Sequence, residues 1–349
     1  MERNELVLLR LSNQYLLHAG ERMRVLRAMN GFQAQFLSNA LHAMRLRCAA
    51  YDNAHAADGL VKGWTLRGTM HIFAEADLPL FLHTGCRYRS RDWTVPSFWN
   101  QRPNWALTPK RQAYFSDLII DALAQGPMTR EALKARCRAA GMMQAEEGSI
   151  FHPWGGGIRE LCERGFLCGM VSEEKAFRLC PAFTPMEERD ALLEQTRRYF
   201  TNYGPASIRD AAYYFDTSQA EIKKRLARLP VEVAECEGQR LFSLHSGRIP
   251  EQALPDCLLL AGFDPLVLGY EKKQSIFLPQ EYLRGIFSLS GIVMPPVLLH
   301  GSAAGRWKRS GKRLFVTQFR PFSREERGFV ETAAAQLWGE DMRLIFQDA

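Results

Sequence analysis

The sequence lacks the signatures of several protein classes. No apolar run approaches the about 18 residues that a membrane span needs. Charged residues are spread through the first 20 positions, which is unlike a secretory signal peptide. The eight cysteines form no Cys-x-x-Cys pair, and no histidine lies at zinc-finger spacing from them. We therefore expect a cytoplasmic chain with no membrane association, no metal site and no structural disulfides.

The remaining composition is that of a folded, moderately basic protein. Hydrophobic residues make up 46% and charged residues 24% of the 349 positions, which is usual for globular proteins. This length predicts roughly two to four domains. The formal net charge of +7 is compatible with a polyanionic partner such as a nucleic acid, although many basic proteins bind none.

A degenerate repeat organises the middle of the chain. Gly126-Pro127 followed by Thr129 recurs as Gly204-Pro205 followed by Ser207. In each copy we predict a helix before Gly-Pro, a second helix capped by the Thr or Ser hydroxyl, a third helix and a two-stranded hairpin. Three helices followed by a two-stranded wing form the winged-helix pattern.

The same pattern extends to the N-terminal third of the chain but not to its C-terminal part. Helices predicted at 6–17, 21–29 and 36–47, with a strand within 64–73, make a first winged-helix unit, and 87–109 is a linker or irregular excursion. From about residue 249, strands dominate, including 257–260, 266–268, 297–299, 304–308 and 312–317, before a helix at 324–338. The predicted fold is mainly α with β (α+β): three tandem winged-helix units at 1–108, 109–184 and 185–248, then a small β-barrel-like domain at 249–349.

Five segments in order resemble one known family. They are GFQAQ at 31–35, RGTMHI at 67–72, WGG at 154–156, GFDPLVLGY at 262–270 and GIVMP at 291–295. Together they resemble the bacterial tandem winged-helix DNA glycosylases of the AlkZ type over nearly the whole chain. The resemblance implies hydrolysis of N-glycosidic bonds to alkylated purines in DNA repair, with no metal or organic cofactor. The partner would be double-stranded DNA with alkylated bases, bound by a monomer associated with the nucleoid.

The resemblance assigns catalysis to Gln33 and Gln35. A sister branch, whose members unhook interstrand crosslinks, carries Asp at the second of these positions, so this chain resembles the first branch. If the segment is extended at the entry to the following helix, side chains at i and i+2 point the same way. A glutamine amide cannot act as an ordinary general base, but its dipole can orient water and stabilise positive charge on the sugar. Cationic N7- or N3-alkylated purines suit such a site, because they leave as neutral bases without protonation.

Other candidate residues each have a structural alternative. Thr69 and His71 lie on one side of a predicted strand and line the cleft, or the histidine is only a satisfied residue of a wing. Asp264 caps a turn, which we favour, or approaches the cleft. Trp154 precedes glycines whose backbone amides could meet a phosphate, or which relieve crowding. A basic stretch is either a DNA-phosphate patch or a solvated hairpin face, and it contains Arg306, Lys308, Arg309, Lys312 and Arg313.

Three functional hypotheses remain open from the sequence. The first is a DNA glycosylase for cationic alkyl-purines, including bulky adducts or crosslinks. The second is a non-catalytic winged-helix DNA-binding protein such as a regulator. The third is a family member that binds DNA but has lost activity. The two glutamines favour the first hypothesis.

Overall fold

The computed structural model describes residues 1–244 and 249–348 and has a mixed α+β fold. The chain divides into two compact units, one formed by Met1–Asp52 with Gln195–Ala349 and the other by Asn53–Glu194. The helix Glu188–Asn202 contains one of the two division points. The four-part domain division remains a prediction, and its boundary at 248/249 borders residues 245–248, which lie outside the described residues.

The unit formed by the two chain ends begins with three helices, and strands dominate its C-terminal part. Its helices are Arg3–Asn13, Arg22–Ala28, Leu37–Arg45, Ile208–Phe215, Gln219–Leu226, Pro265–Leu268, Leu283–Ile286 and Arg324–Trp338, with a 3₁₀ turn at Gln280–Tyr282. Its strands are Phe32–Gln33, Glu232–Cys236, Gln239–Ser243, Cys257–Leu259, Pro296–Leu299, Ser302–Ser310, Arg313–Gln318 and Arg343–Asp348. The predicted helix at 324–338 is confirmed; Ser323 and Glu326 form a capping box at its start.

Five of these strands form the C-terminal sheet. Its order is Cys257–Leu259, Pro296–Leu299, Ser302–Ser310, Arg313–Gln318 and Arg343–Asp348, antiparallel except for the last pair. Residues of the helix Arg324–Trp338 and of the sheet share one apolar core. The final strand was not predicted. The partly closed barrel expected from the sequence is not confirmed, because among the described residues the two outer strands of the sheet, Cys257–Leu259 and Arg343–Asp348, do not pair with each other.

The other unit places helices against an antiparallel sheet. Its helices are Leu78–Phe81, Pro109–Leu123, Arg130–Ala139, Gln144–Ile150 and Gly156–Glu163, with 3₁₀ turns at Leu66–Gly68, Glu75–Asp77 and Thr84–Cys86. Its strands pair in the order Met70–Ala74, Leu60–Trp64, Leu167–Gly169, Ala176–Leu179 and Met128–Thr129. The segment 87–108 is irregular, as predicted, but it is more than a linker, because Trp93 and Leu107 are buried in the core of this unit.

The helix caps of the repeat follow the sequence prediction. The Thr129 hydroxyl accepts a hydrogen bond from the Ala132 amide at 3.1 Å, and Ser207 forms a capping box with Asp210. The predicted hairpins are also present, at Leu167–Gly169 with Ala176–Leu179 and at Glu232–Cys236 with Gln239–Ser243. Local sequence signals therefore predict the helix caps and the hairpins of both copies of the repeat.

One predicted strand is wrong and another begins later than predicted, and each difference has a local cause. Residues 266–268 belong to the short helix Pro265–Leu268, since Asp264 caps its start and the proline ring favours the first helical position. The strand expected from Arg67 to Phe73 begins only at Met70, because Arg67 adopts a left-handed conformation (φ 55°) within a 3₁₀ turn.

Two general observations complete the fold. The eight cysteines are free in the part of the chain that the structure describes, and most are buried. No helix among the described residues is sufficiently long and apolar to cross a membrane.

Candidate active site

The segment with the two glutamines follows a sharp reversal of the chain. After the helix Arg22–Ala28, Asn30 (φ 56°) and Gly31 (φ 80°) both adopt left-handed conformations. The Gly31 amide donates to the Leu26 carbonyl at 2.8 Å, which closes the helix end. The Asn30 side-chain amide donates to the Gln195 carbonyl at 3.1 Å. The reversal therefore starts from a buried, hydrogen-bonded position.

The glutamine segment begins as the short strand Phe32–Gln33, bends at Gln35, and alternates between interior and surface. Phe32 and Ala34 are buried, whereas Gln33 is partly exposed and Gln35 is exposed. Phe36 keeps an extended backbone (φ −115°, ψ 112°) before the helix Leu37–Arg45 begins. An extended conformation at the helix entry is therefore present at Phe36. Phe32 and Ala34 anchor the segment through their burial, whereas a common direction for the two glutamine side chains stays a prediction.

A buried ion pair lies behind the glutamine segment. The Arg47 guanidinium donates to both Asp264 carboxylate oxygens, at 2.6 and 3.1 Å, and neither side chain is exposed to solvent. Arg47 also donates to the Ala43 carbonyl at 3.1 Å, and its Cζ atom lies 5.9 Å from the centre of the Phe32 ring. The ion pair thus supports the residue that immediately precedes Gln33.

Asp264 has the turn-capping role that the sequence favoured. Its Oδ1 atom accepts from the Leu266 amide at 2.9 Å, and its carboxylate meets protein atoms rather than a cleft because the residue is fully buried. The sequence interpretation missed its partner Arg47. A signal was available, since Ala40, Ala43, Met44 and Arg47 follow helical spacing and place one cation in an apolar stripe.

Thr69 and His71 belong to the unit 53–194, where both satisfy local hydrogen bonds. The Thr69 hydroxyl donates to the Leu66 carbonyl at 3.0 Å, and Nδ1 of His71 donates to the Thr69 carbonyl at 3.0 Å. Burial and the nearby Arg67 cation lower the pKa of His71 to about 3, although the Thr69 carbonyl favours the charged ring. His71 is therefore neutral at physiological pH, and the cleft-lining role of both residues stays a prediction.

Trp154, in the same unit, is a large exposed aromatic residue, with 67% of its surface accessible. It precedes Gly155 and Gly156, which open the helix Gly156–Glu163. Gly156 has φ 61°, and a Cβ atom there would lie 2.1 Å from the Ser149 carbonyl oxygen. Gly156 therefore relieves crowding, as one interpretation of the sequence held, and Trp154 remains available for a partner.

The basic stretch lies on two strands of the C-terminal sheet and the turn that joins them. Lys308, Arg309, Lys312 and Arg313 are exposed, whereas Arg306 is partly buried and donates to the Gly285 carbonyl at 3.2 Å. Lys312 is paired with Asp341. Among the described residues, no carboxylate pairs with Lys308, Arg309 or Arg313.

Strand register separates these cations between the two faces of the hairpin. Lys308 lies opposite Phe315, and Arg313 pairs with Ser310 on one side and Arg343 on the other. These pairings place Lys308, Arg313 and Arg343 on one face. Arg309 belongs to the opposite face, where its guanidinium lies 5.6 Å from the Trp338 ring centre. Arg306, two positions before Lys308, lies on the same face, and these four cations have the charge expected of a phosphate-binding surface.

Comparisons with known proteins agree with the resemblance in the sequence. The family model described as "DNA glycosylase AlkZ-like" matches residues 26–339. An interstrand DNA cross-link repair glycosylase of Streptomyces sahachiroi is 29% identical over 332 residues, covering 88% of this chain and 87% of that protein. The solved structure of the S. sahachiroi DNA glycosylase AlkZ matches the whole of both chains with a TM-score of 0.78 at 24% identity.

These findings bear on the expected activity and show the family of the chain. The S. sahachiroi relative is named for interstrand cross-link repair, an activity that we associated from the sequence with the sister branch and that the first hypothesis also included. The family model covers most of the chain, including the glutamine segment, Asp264 and the basic hairpin. The chain therefore belongs to the AlkZ-like DNA glycosylase family.

Proposed function

We propose that this protein hydrolyses the N-glycosidic bond of cationic N7- or N3-alkylated purines in double-stranded DNA, with Gln33 and Gln35 as the catalytic residues. The observation that carries the proposal is the alternation in burial around Ala34, since Gln33 is partly exposed and Gln35 is exposed on either side of this fully buried residue. Bulky adducts and crosslinks through the same purine nitrogens fall within the same chemistry.

The proposed reaction needs no acid. When the N9–C1′ bond breaks, its electron pair stays with the purine and cancels the positive charge that alkylation created. A water oxygen then bonds to C1′ and releases a proton to solvent. The side-chain carbonyls of Gln33 and Gln35 orient this water and direct their negative ends toward the charge that develops on the sugar. Such fixed dipoles contribute about 10²- to 10³-fold each in well-placed cases.

DNA binding is assigned to the basic hairpin and to Trp154. Lys308 and Arg313 share a face with Arg343 and would contact phosphates. Arg309, on the opposite face against Trp338, would contribute more weakly, as would Arg306 and Lys312 because of their other bonds. Trp154 would stack on or insert beside a base. The three winged-helix units and a monomeric state are part of this proposal, supported by the repeated caps and hairpins.

The direct test is release of base from methylated duplex DNA. The protein is incubated with the DNA, and free N7-methylguanine and abasic sites are measured for wild type, Gln33→Ala and Gln35→Ala. Gln125→Ala is a matched control, since Gln125 is exposed and lies outside the glutamine segment. Release by wild type and the control, lost in both glutamine variants, supports the proposal.

Other outcomes separate the remaining hypotheses. Release that persists in both glutamine variants would refute the site. Excision of uracil or hypoxanthine at a rate equal to that of N7-methylguanine would contradict the requirement for a cationic leaving group. No release from either methylated or crosslinked DNA, with binding retained, would favour a non-catalytic DNA-binding protein.

A further inference from the structure

Phe98 is a large aromatic residue at the surface of the irregular segment 87–108. It leaves 70% of its surface exposed, whereas the next residue, Trp99, is 3% exposed. Two reciprocal hydrogen bonds close the turn around it. The Ser97 amide donates to Oδ1 of Asn100 at 2.7 Å, and the Asn100 amide donates to Oγ of Ser97 at 3.1 Å. A buried neighbour and a hydrogen-bonded turn therefore hold the Phe98 ring at the surface.

An arginine lies over the Phe98 ring. Cζ of Arg102 is 5.7 Å from the centre of this ring and 5.1 Å from the centre of the Trp99 ring. A second guanidinium, that of Arg159, lies 5.9 Å from the Trp99 ring centre. Arg159 pairs with Glu163, whereas in the part of the chain that the structure describes no carboxylate pairs with Arg102. The exposed ring is therefore accompanied by a positive charge that no acidic side chain compensates.

His152 connects this arrangement to the second exposed aromatic residue, Trp154. The ring centres of His152 and Trp99 are 5.2 Å apart, and Nδ1 of His152 accepts a hydrogen bond from the Trp154 amide at 3.2 Å. Burial, followed by the cations of Arg102 and Arg130, lowers the pKa of His152 from its usual value. The region around His152 therefore combines two exposed aromatic side chains with a neutral imidazole and an excess of positive charge.

We infer that Phe98, Arg102 and Trp154 form a binding surface for unpaired DNA bases, which stack on the two aromatic rings while the arginine attracts the backbone phosphates. In a duplex the face of each base is covered by its neighbours, so an exposed ring can stack only on a base that has left the helix or lies in a single strand. Aromatic side chains combined with arginine are typical of surfaces that bind single-stranded DNA.

A damaged duplex can supply such bases, because a damaged base unpairs at a lower cost than an intact one. Aromatic residues and arginine also mark protein interfaces. The uncompensated charge of Arg102 and the membership of the chain in a DNA glycosylase family favour DNA. This inference rests on the DNA binding proposed for Trp154 and adds unpaired bases as its ligand.

The test separates base stacking from phosphate binding. Two fluorescent oligonucleotides of equal length are compared, an oligothymidylate and an oligomer of tetrahydrofuran abasic residues, which keeps the phosphates but has no bases. Fluorescence anisotropy gives the ratio of their dissociation constants for wild type, Phe98→Ala, Phe98→Trp and Trp154→Ala. Tyr114→Ala is the matched control, since Tyr114 is an exposed aromatic residue (49%) of the same unit whose ring contacts Phe115.

Wild type should bind the oligothymidylate more tightly than the abasic oligomer. Phe98→Ala and Trp154→Ala should each reduce this preference by about 5- to 150-fold, because each removes a stacking ring. Phe98→Trp should keep the preference, since any aromatic face stacks on a base, and Tyr114→Ala should leave it unchanged. Arg102→Met should weaken the binding of both oligomers and reduce the slope of log K against log salt by about 0.7. Thermal unfolding of each variant shows that the fold is retained.

Three results would overturn the inference. The first is equal binding of the two oligomers by wild type, and the second is an unchanged ratio in Phe98→Ala. The third is self-association of wild type that Phe98→Ala abolishes, without any preference for the oligomer with bases. That third result would identify the surface as an interface between copies of this chain.

The inference and the proposed catalytic site can fail separately. If wild type releases N7-methylguanine and the glutamine variants do not, the catalytic assignment stands even when the two oligomers bind equally. Only the role of Phe98 and its neighbours is then refuted. If wild type prefers the oligothymidylate through Phe98 but releases no base from methylated duplex DNA, the binding surface stands and the catalytic assignment fails.

Discussion

Replacing Arg47 with methionine should destabilise the protein far more than loss of an ordinary ion pair. The variant leaves the Asp264 carboxylate in a site with no solvent access, where the Leu266 amide is the one remaining donor among the residues that the structure describes. Removing one partner of a buried pair costs about 3–5 kcal/mol. Because the hydrogen bond from the Leu266 amide survives, we expect a loss of stability near the lower value, about 3 kcal/mol. Asp264→Asn should cost a similar amount, because it strands the guanidinium.

The double variant Arg47→Met/Asp264→Asn distinguishes a stranded charge from lost packing. It removes both charges and nearly keeps the side-chain volumes, so its loss of stability should fall below the sum of the single losses by about 2 kcal/mol or more. Urea unfolding followed by circular dichroism gives the free energies. Lys224→Met is the control, since its pair with Glu221 is largely exposed and should be worth about 1 kcal/mol at most.

The same variants should also reduce catalysis by folded protein. Arg47 supports Phe32. Asp264 follows Phe263, whose ring centre lies 5.9 Å from that of Phe36, so both flanks of the glutamine segment depend on the pair. Arg47→Lys should not restore activity, because one ammonium cannot donate to both carboxylate oxygens in the fork geometry of arginine. Two results would refute this reasoning. One is a loss of stability in the double variant equal to the sum of the single losses, and the other is a loss of under about 1 kcal/mol in Arg47→Met.

Three further predictions concern pH, salt and helix capping. The pKa of His71 in the folded state is about 3, below its unfolded value, so the free energy of unfolding should fall as the pH drops below 6.5, by about 2 kcal/mol at pH 5. In urea titrations, His71→Asn should flatten this pH dependence. An unchanged pH dependence in the variant would contradict the prediction. Lys308→Gln with Arg313→Gln should weaken DNA binding and reduce the slope of log K against log salt by about 2, whereas an unaltered slope would remove these residues from the interface. Ser207→Ala should lower the free energy of unfolding by about 1 kcal/mol, because it removes a capping box with Asp210; a change near zero would show that the cap is not needed.

Local sequence signals predicted the parts of the fold that depend on neighbours along the chain. The caps at Thr129 and Ser207 and the helix Arg324–Trp338 are examples, since each relies on residues within a few positions. The run Leu266–Leu268 was misassigned as a strand because its apolar composition suits either structure. Asp264 and Pro265, just before it, decide for a helix.

The candidate site was predictable only in part, for a similar reason. The position of Gln33 and Gln35 at the entry to an amphipathic helix could be read from the sequence, whereas the bend at Gln35 could not. The pairing of Arg47 with Asp264 joins residues 217 positions apart, and no local pattern specifies such a partner. The contact of Phe36 with Phe263 likewise arises only when the two chain ends fold into one unit.

The most direct test of the central claim is the single-turnover rate of base release from a duplex that contains one N7-methylguanine. If the two neutral amides carry catalysis, Gln33→Ala and Gln35→Ala should each lower this rate by about 10²- to 10³-fold, with DNA affinity and thermal stability close to wild type. Gln125→Ala should match wild type. Wild-type rates in both glutamine variants would contradict the account.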